Sequence, residues 1–260
     1  GPAAGPEREK AMTAFKDHFS GHAALYRNHR PRYPDRLFEI IAANAPARTA
    51  VWDCGCGNGQ ASLGLARHFG TVYATDASPQ QIAAAEPHPR IAYSVATAEA
   101  SGLPDASVDA VLVAQALHWF DIEVFYDEVE CVARRGALFL AIAYELAQIA
   151  PGVDPILQRF RDGILGPWWP AERAHVDNGY RDIPRRFPPV DLPPVEMRVD
   201  WPLDRLLAYL GTWSAVQRMK AETGEDPLPA LREALRPAWG APETVRTIRW
   251  PLIMLAGRVK

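Results

Sequence analysis

Cysteine is scarce in this chain, with three among 260 residues, and that scarcity excludes a disulfide framework. Cys54 and Cys56 stand two apart. A zinc site wants Cys-x-x-Cys and a second Cys or His cluster, and neither is present, so no metal is expected. Small side chains in a tight turn account for both residues, and reduced thiols suit a cytoplasmic setting. An excess of positive charge is missing too. Lys and Arg number 28 against 31 Asp and Glu, a net charge of −3, which leaves no electrostatic footprint for nucleic acid. Long apolar runs are lacking. Ala110–Leu117 is bounded by Asp109 and His118, far short of the roughly 20 residues a membrane helix needs. No repeat and no low-complexity tract occurs. The opening GPAAGPEREK is polar, without the apolar core of a signal peptide. Residues 1–11 read as a tag remnant, with Met12 as the natural start.

What remains has the composition of a globular domain, 48% hydrophobic and 23% charged. Pro34 and Asp35 open a helical run that stops before Pro46. Ala50–Trp52 reads as a buried strand with Asp53 at its end. ASLGLARHF has helical spacing, with Gly70 as its C-terminal cap. Thr71–Asp76 alternates as a second strand. Ser78-Pro79-Gln80-Gln81 is a helix start with serine as N-cap and proline at the first position. Ile91–Ala96, Val108–Ala114 and Ala137–Tyr144 read as further strands, and Asp121 starts a helix reaching Arg134–Gly136. Val195–Pro202 and Thr247–Gly257 are expected to be strands, with helices over Asp204–Met219 and Leu228–Leu235. Strands apolar on both faces and alternating with helices predict a doubly wound, mostly parallel α/β sheet. The chain divides into an N-terminal cap (12–34), a core (35–145), an inserted lid rich in Pro, Arg and Trp (146–194) and a C-terminal part (195–260).

In such sheets ligands bind beyond the carboxyl ends of the strands. Asp53, Asp76, Thr97 and Gln115 stand at or just past those ends and converge on one crevice. The stretch VWDCGCGNGQ, Val51–Gln60, places Gly55, Gly57 and Gly59 between a strand and a helix. Bare backbone there lets a ligand approach closely. A dinucleotide turn is G-x-G-x-x-G, whose third glycine would fall at Gln60. An acid also precedes the turn, where a pyrophosphate would be repelled and an amine-bearing ligand favoured.

Val51–Gly59 resembles the first motif of the class I S-adenosylmethionine-dependent methyltransferases, apolar-apolar-Asp-x-Gly-x-Gly-x-Gly. Ala96–Phe120 is similar to the type-11 small-molecule branch. Tyr26, the run Arg30-Pro31-Arg32-Tyr33-Pro34, the His118-Trp119-Phe120 triplet and the TWSAV and WPLIMLAGR segments resemble the trans-aconitate methyltransferase-like group. The resemblance implies a seven-stranded Rossmann-like methyltransferase fold that binds S-adenosyl-L-methionine. It implies Asp76 as the ribose-binding acid, Ala77 beside the adenine, and Thr97, Ala98 and Glu99 near the base, with Thr97 where many relatives carry an acid. Tyr26 and Arg30 would close over the methionine end.

Methyl transfer from a sulfonium is an in-line displacement, so alignment and exclusion of water dominate. A base is needed only for an acceptor that arrives protonated. His118 is the candidate: it would either deprotonate a hydroxyl or hydrogen-bond a carboxylate, or simply orient its loop. Trp119, Tyr144, Trp168, Trp169 and Trp213 are candidate walls of an acceptor pocket. His175, Arg181, Arg185 and Arg186 are candidates to receive an acidic acceptor. The expected activity is methyl transfer to a small carboxylate or hydroxyl. The alternatives are a nicotinamide-dinucleotide dehydrogenase and a non-catalytic binder of the adenosyl cofactor.

Overall fold

The computed structural model describes residues 29–260. Seven strands form one sheet in the order β3-β2-β1-β4-β5-β7-β6. They are β1 (Ala50–Cys54), β2 (Thr71–Asp76), β3 (Ile91–Val95), β4 (Val108–Ala114), β5 (Ala133–Tyr144), β6 (Glu196–Trp201) and β7 (Arg246–Arg258). β1 to β5 run parallel, whereas β7 is antiparallel to both β5 and β6. The doubly wound, mostly parallel sheet expected from the alternating pattern is therefore present. Strand order reverses at β1, which pairs with β2 on one side and β4 on the other. A ligand crevice belongs at that switch point.

The central strands β1, β4 and β5 are buried almost throughout because both faces of the sheet are covered there. α1 (Asp35–Asn44) and α2 (Gln60–Leu65) pack Leu37, Phe38, Ile41 and Leu65 onto one face. α4 (Ile122–Val132) packs Phe125, Tyr126 and Val129 onto the other. The short α3 (Pro79–Ala83) starts where Ser78 Oγ accepts from the Gln81 backbone N–H. Asp109 ties the sheet's lower end together. One of its oxygens accepts from the N–H groups of Thr49 and Ala50 at 2.8 and 3.0 Å, and the other accepts from Arg134 at 2.8 Å.

Several element boundaries differ from the sequence reading. α2 ends at Leu65, and Gly70 donates to the Arg48 carbonyl at 2.9 Å, entering β2 instead of capping the helix. α4 ends at Val132 and β5 starts at once at Ala133. Its register against β4 slips between Val108 and Ala110, which absorbs Arg134, Arg135 and Gly136, the last at φ +83°. The run expected as one helix over 204–219 is two, α7 (Leu203–Gly211) and α8 (Ser214–Thr223), broken at Trp213. α9 runs from Leu228 to Trp239, past the expected end at Leu235, and carries Pro237 inside it.

The segment after β5 folds as α5 (Asp154–Arg159), one π-helical turn (Phe160–Ile164), short 3₁₀ turns and α6 (Ala174–Asp177). It joins α7, α8 and α9 in a third core cluster with Leu157, Phe160, Leu206, Leu210, Trp213 and Trp239.

Candidate active site

The glycine turn after β1 is fastened to β2. The N–H groups of Gly55 and Cys56 both donate to the Thr75 carbonyl, at 2.8 and 2.9 Å. All three glycines are left-handed, with φ of +70°, +55° and +86°. Their surroundings differ. A Cβ at Gly55 would come within 2.7 Å of the Ala116 methyl, and one at Gly59 would overlap the Tyr93 phenol. Among the described residues, a Cβ at Gly57 would meet nothing nearer than the Gln81 side chain at 3.9 Å. Gly55 and Gly59 thus serve packing, while the space before Gly57 is open.

Asp76, at the end of β2, is oriented by two backbone donors: Gly57 N–H to Oδ2 at 2.8 Å and Ser78 N–H to Oδ1 at 2.9 Å. It stands beside the open space at Gly57, with Ala77 between it and the start of α3. Asp53 is wholly buried. Its Oδ2 accepts from the Ser62 hydroxyl at 2.5 Å, while Oδ1 has no partner among the described residues. Burial pushes its pKa up to about 7; the Ser62 bond opposes that and the negative charge of Asp76 adds to it. The N-cap position of α2 is Gly59, and Asp53 instead bonds a side chain within that helix.

Thr97 and Ala100 form an isolated bridge that shapes the loop after β3, with Ala98 buried beneath it. Glu99 accepts from the Asp121 N–H at 2.8 Å and so holds the start of α4.

A second space opens beyond the ends of β4 and β5, with about 620 Å³ of empty volume, its mouth included. His118, Trp119, Tyr144, Trp169 and Trp213, expected on the acceptor side, line it together with Arg30 and Gln115, expected on the cofactor side, and with Arg173, Tyr209 and Glu145, which the sequence does not single out. Arg30 donates to the Tyr144 hydroxyl at 3.2 Å. Gln115 adopts φ +58°, a sparsely populated conformation for its type. Its N–H donates to the Ile142 carbonyl at 2.8 Å, which holds the turn at the cavity floor. Trp213 packs among Phe160, Trp169 and Tyr209. Trp168 does not reach the cavity lining; its carbonyl accepts from Arg218 on α8. Tyr26 lies outside the described residues.

His118 touches the Tyr180 hydroxyl through Nδ1 at 3.4 Å. Burial, with Arg173 and His175 nearby, lowers its pKa to about 3. Arg173 lies over the Trp169 ring at 4.3 Å. Its buried Nε makes no hydrogen bond among the described residues and forms only a long ion pair, at 3.6 Å, with the half-exposed Asp177. The cations expected to receive an acidic acceptor are elsewhere. His175 pairs with Asp182 at 2.7 Å, Arg186 with Glu123, Asp127 and Glu130, and Arg181 and Arg185 are exposed. Arg173 has no sequence signal of its own, because it sits in a proline-flanked turn without periodicity.

The first space suits an adenosyl cofactor. It offers an open glycine backbone, a carboxylate anchored at the end of β2 and a buried carboxylate oxygen that lacks a partner among the described residues. Two carboxylates would oppose a pyrophosphate there. Among the described residues no three His, Cys, Asp or Glu are grouped to hold a metal, and no helix is long and apolar enough to cross a membrane.

Comparison with known proteins agrees with this geometry. Residues 52–141 match the family model described as a methyltransferase domain. A Dictyostelium discoideum protein described as a methyltransferase is 31% identical over 231 residues, covering 87% of this chain and 88% of its own. A structure from Anaeromyxobacter dehalogenans, described as a type II methyltransferase, is 50% identical. It covers 88% of this chain and 98% of its own, with a TM-score of 0.83. A Saccharomyces cerevisiae protein described as an S-adenosylmethionine-dependent methyltransferase is 31% identical over 126 residues, covering 45% of this chain and 43% of its own. With the sheet order, the glycine turn and these relatives in agreement, the chain belongs to the class I S-adenosylmethionine-dependent methyltransferases.

Proposed function

We propose that this methyltransferase acts on a small carboxylate seated in the cavity beyond β4 and β5. The observation that carries the reading is Arg173. Its Nε makes no hydrogen bond among the described residues and meets only the half-exposed Asp177 carboxylate, at 3.6 Å, which leaves the guanidinium able to receive a better-placed anion. It lines the cavity, and burial already disfavours its charge. Arg30 stands on the same wall. A planar carboxylate is the group that such forks match.

Gly55–Gly59, Asp53 and Asp76 would hold the cofactor, with Ala77, Thr97 and Ala98 beside the base. When bound, the cofactor supplies a methyl made electrophilic by its sulfonium. The chain's own contribution is then to align an oxygen with that methyl and to keep water away. Trp119, Trp169, Tyr209 and Trp213 do the second, as an aromatic wall that also favours a positive sulfonium. Arg173 does the first. His118, with its pKa near 3, is a poor proton acceptor at neutral pH. An acceptor already ionised at pH 7 needs no base, which favours a carboxylate over a hydroxyl.

The test is transfer from methyl-labelled cofactor to a panel of carboxylic acids and their matched alcohols. A methyl ester releases labelled methanol in mild alkali, whereas an ether or an N-methyl product keeps its label. Base-labile product from acids alone supports the reading. Base-stable product from the alcohols would replace it with the hydroxyl reading, and cofactor affinity without turnover would make the chain a binder.

A further inference from the structure

Tyr180 has no role in the reading above, yet its hydroxyl meets the histidine of the cavity wall. It lies in a two-residue left-handed stretch after α6, with Gly179 at φ +63° and Tyr180 at φ +59°. Such a backbone costs an aromatic L-residue about 1–2 kcal/mol and persists only where the surroundings hold it. Here the Tyr180 N–H donates to the His175 carbonyl at 2.8 Å, and the side chain, 2% exposed, packs in the core against the sheet.

The hydroxyl lies 3.4 Å from His118 Nδ1, the one hydrogen-bond partner it has among the described residues. Burial keeps the phenol protonated. A buried O–H with a single neighbour satisfies its proton only by donating to that neighbour. Nδ1 is then an acceptor. In a neutral imidazole this puts the ring proton on Nε2. Nε2 makes no hydrogen bond with the described residues, and His118 lines the cavity.

We propose that Tyr180 is a positioning residue: it fixes His118 in the Nε2–H tautomer and makes it a hydrogen-bond donor to an oxygen of the methyl acceptor. The donor role rests on the reading of the cavity as the acceptor site; the tautomer does not. Beside Arg173, an Nε2–H donor selects a group with free lone pairs and disfavours an amine, whose own N–H groups would face two donors.

The experiment is ¹⁵N NMR of the histidine-labelled full chain with S-adenosylhomocysteine bound, the His118 signals being assigned by their loss in His118→Asn. The expected spectrum has Nδ1 unprotonated and Nε2 protonated. A protonated Nδ1 overturns the proposal whatever the acceptor proves to be. In Tyr180→Phe the His118 tautomers should mix; an unchanged pure Nε2–H form overturns the role of Tyr180. Should the phenylalanine variant fail to fold, 3-fluorotyrosine labelling keeps the volume and strengthens the donor. It should then move the His118 Nδ1 signal, and an unmoved signal counts against the proposal. With the carboxylate acceptor that the labelled panel identifies, Tyr180→Phe should lower kcat/KM about tenfold, the worth of one hydrogen bond, with cofactor affinity unchanged. Unaltered kcat/KM would overturn the donor role, whereas absence of turnover on every acid would fall on the cavity reading and leave the spectrum to judge the tautomer.

Discussion

Gly57 and Gly59 share a backbone conformation and differ in what lies in front of them, so their substitutions should fail differently. At Gly57 a side chain meets open space, and its cost to the fold is that of a left-handed L-residue, about 1–2 kcal/mol. It also fills the place where the cofactor would approach. Gly57→Val should therefore abolish binding of S-adenosylhomocysteine in calorimetry while leaving a cooperative thermal transition a few degrees lower. Gly59→Ala must also displace the Tyr93 phenol and should lower the melting temperature further. Equal affinity for wild type and Gly57→Val would remove the turn from the binding site. Asp53 carries a different signature. Its folded pKa, near 7, lies above the ordinary 3.8, so the folded chain binds its proton more tightly than the unfolded one. The group then destabilises nothing below about pH 4, costs progressively more as pH rises towards 7, and levels off above it. The plateau is on the order of 4 kcal/mol at 1.36 kcal/mol per unit. Asp53→Asn, a neutral isostere, should be more stable than wild type in cofactor-free urea titrations at pH 8, and the two should converge near pH 4. The same variant should bind cofactor less well, since the ionised oxygen is lost. A constant stability difference across that range would show that Asp53 does not titrate near 7.

The elements were legible in the sequence wherever one local force decides them. The strand–glycine–helix unit, the Ser78 cap and the apolar strands all follow from short-range patterning, and they place the glycine turn and Asp76 together. What misled was competition from distant contacts. Gly70 resembles a helix cap by position, but its N–H is worth more in the sheet, on the Arg48 carbonyl. Ala133–Gly136 continues a helical pattern, yet β4 recruits it as an irregular strand. The break at Trp213 is the most telling case. Periodicity runs through it, but the indole is 6% exposed in a cluster with Phe160, Trp169 and Tyr209, and the chain turns to put it there. Trp213 therefore couples α7 and α8 to the inserted segment. Trp213→Ala should cost about 3–5 kcal/mol, as large buried aromatics do, in a urea titration. The loss should fall on acceptor turnover more than on cofactor affinity, because the glycine turn lies on other elements. Equal losses in both would mean that the cluster supports the whole sheet.

At the scale of the molecule, two spaces with opposite electrostatics lie along one edge of the sheet. Carboxylates, Asp53 and Asp76, mark the first; Arg30 and Arg173, with Glu145 as the acid beside them, mark the second. A cationic cofactor and an anionic acceptor would each find complementary charge, and each would be repelled from the other's place. No sequence pattern announces this division, since Arg173 comes from an insertion whose fold depends on burial of its tryptophans. The division gives a test in which function and stability move apart. Arg173→Met keeps the side chain's bulk over Trp169 and removes a largely desolvated cation whose ion pair with Asp177 is long, at 3.6 Å. Replacing poorly paired buried charge by an apolar group is often neutral or stabilising, so the melting temperature should hold or rise. Turnover of a carboxylate acceptor should instead fall roughly 10- to 150-fold, the range for a hydrogen bond to a charged group, about 1.5–3 kcal/mol. Most of that loss should appear in KM, because the anchoring contact is made before and during transfer alike. A variant that unfolds would make Arg173 a structural ion pair with Asp177, and a folded variant with unchanged KM would take the acceptor's carboxylate away from this wall.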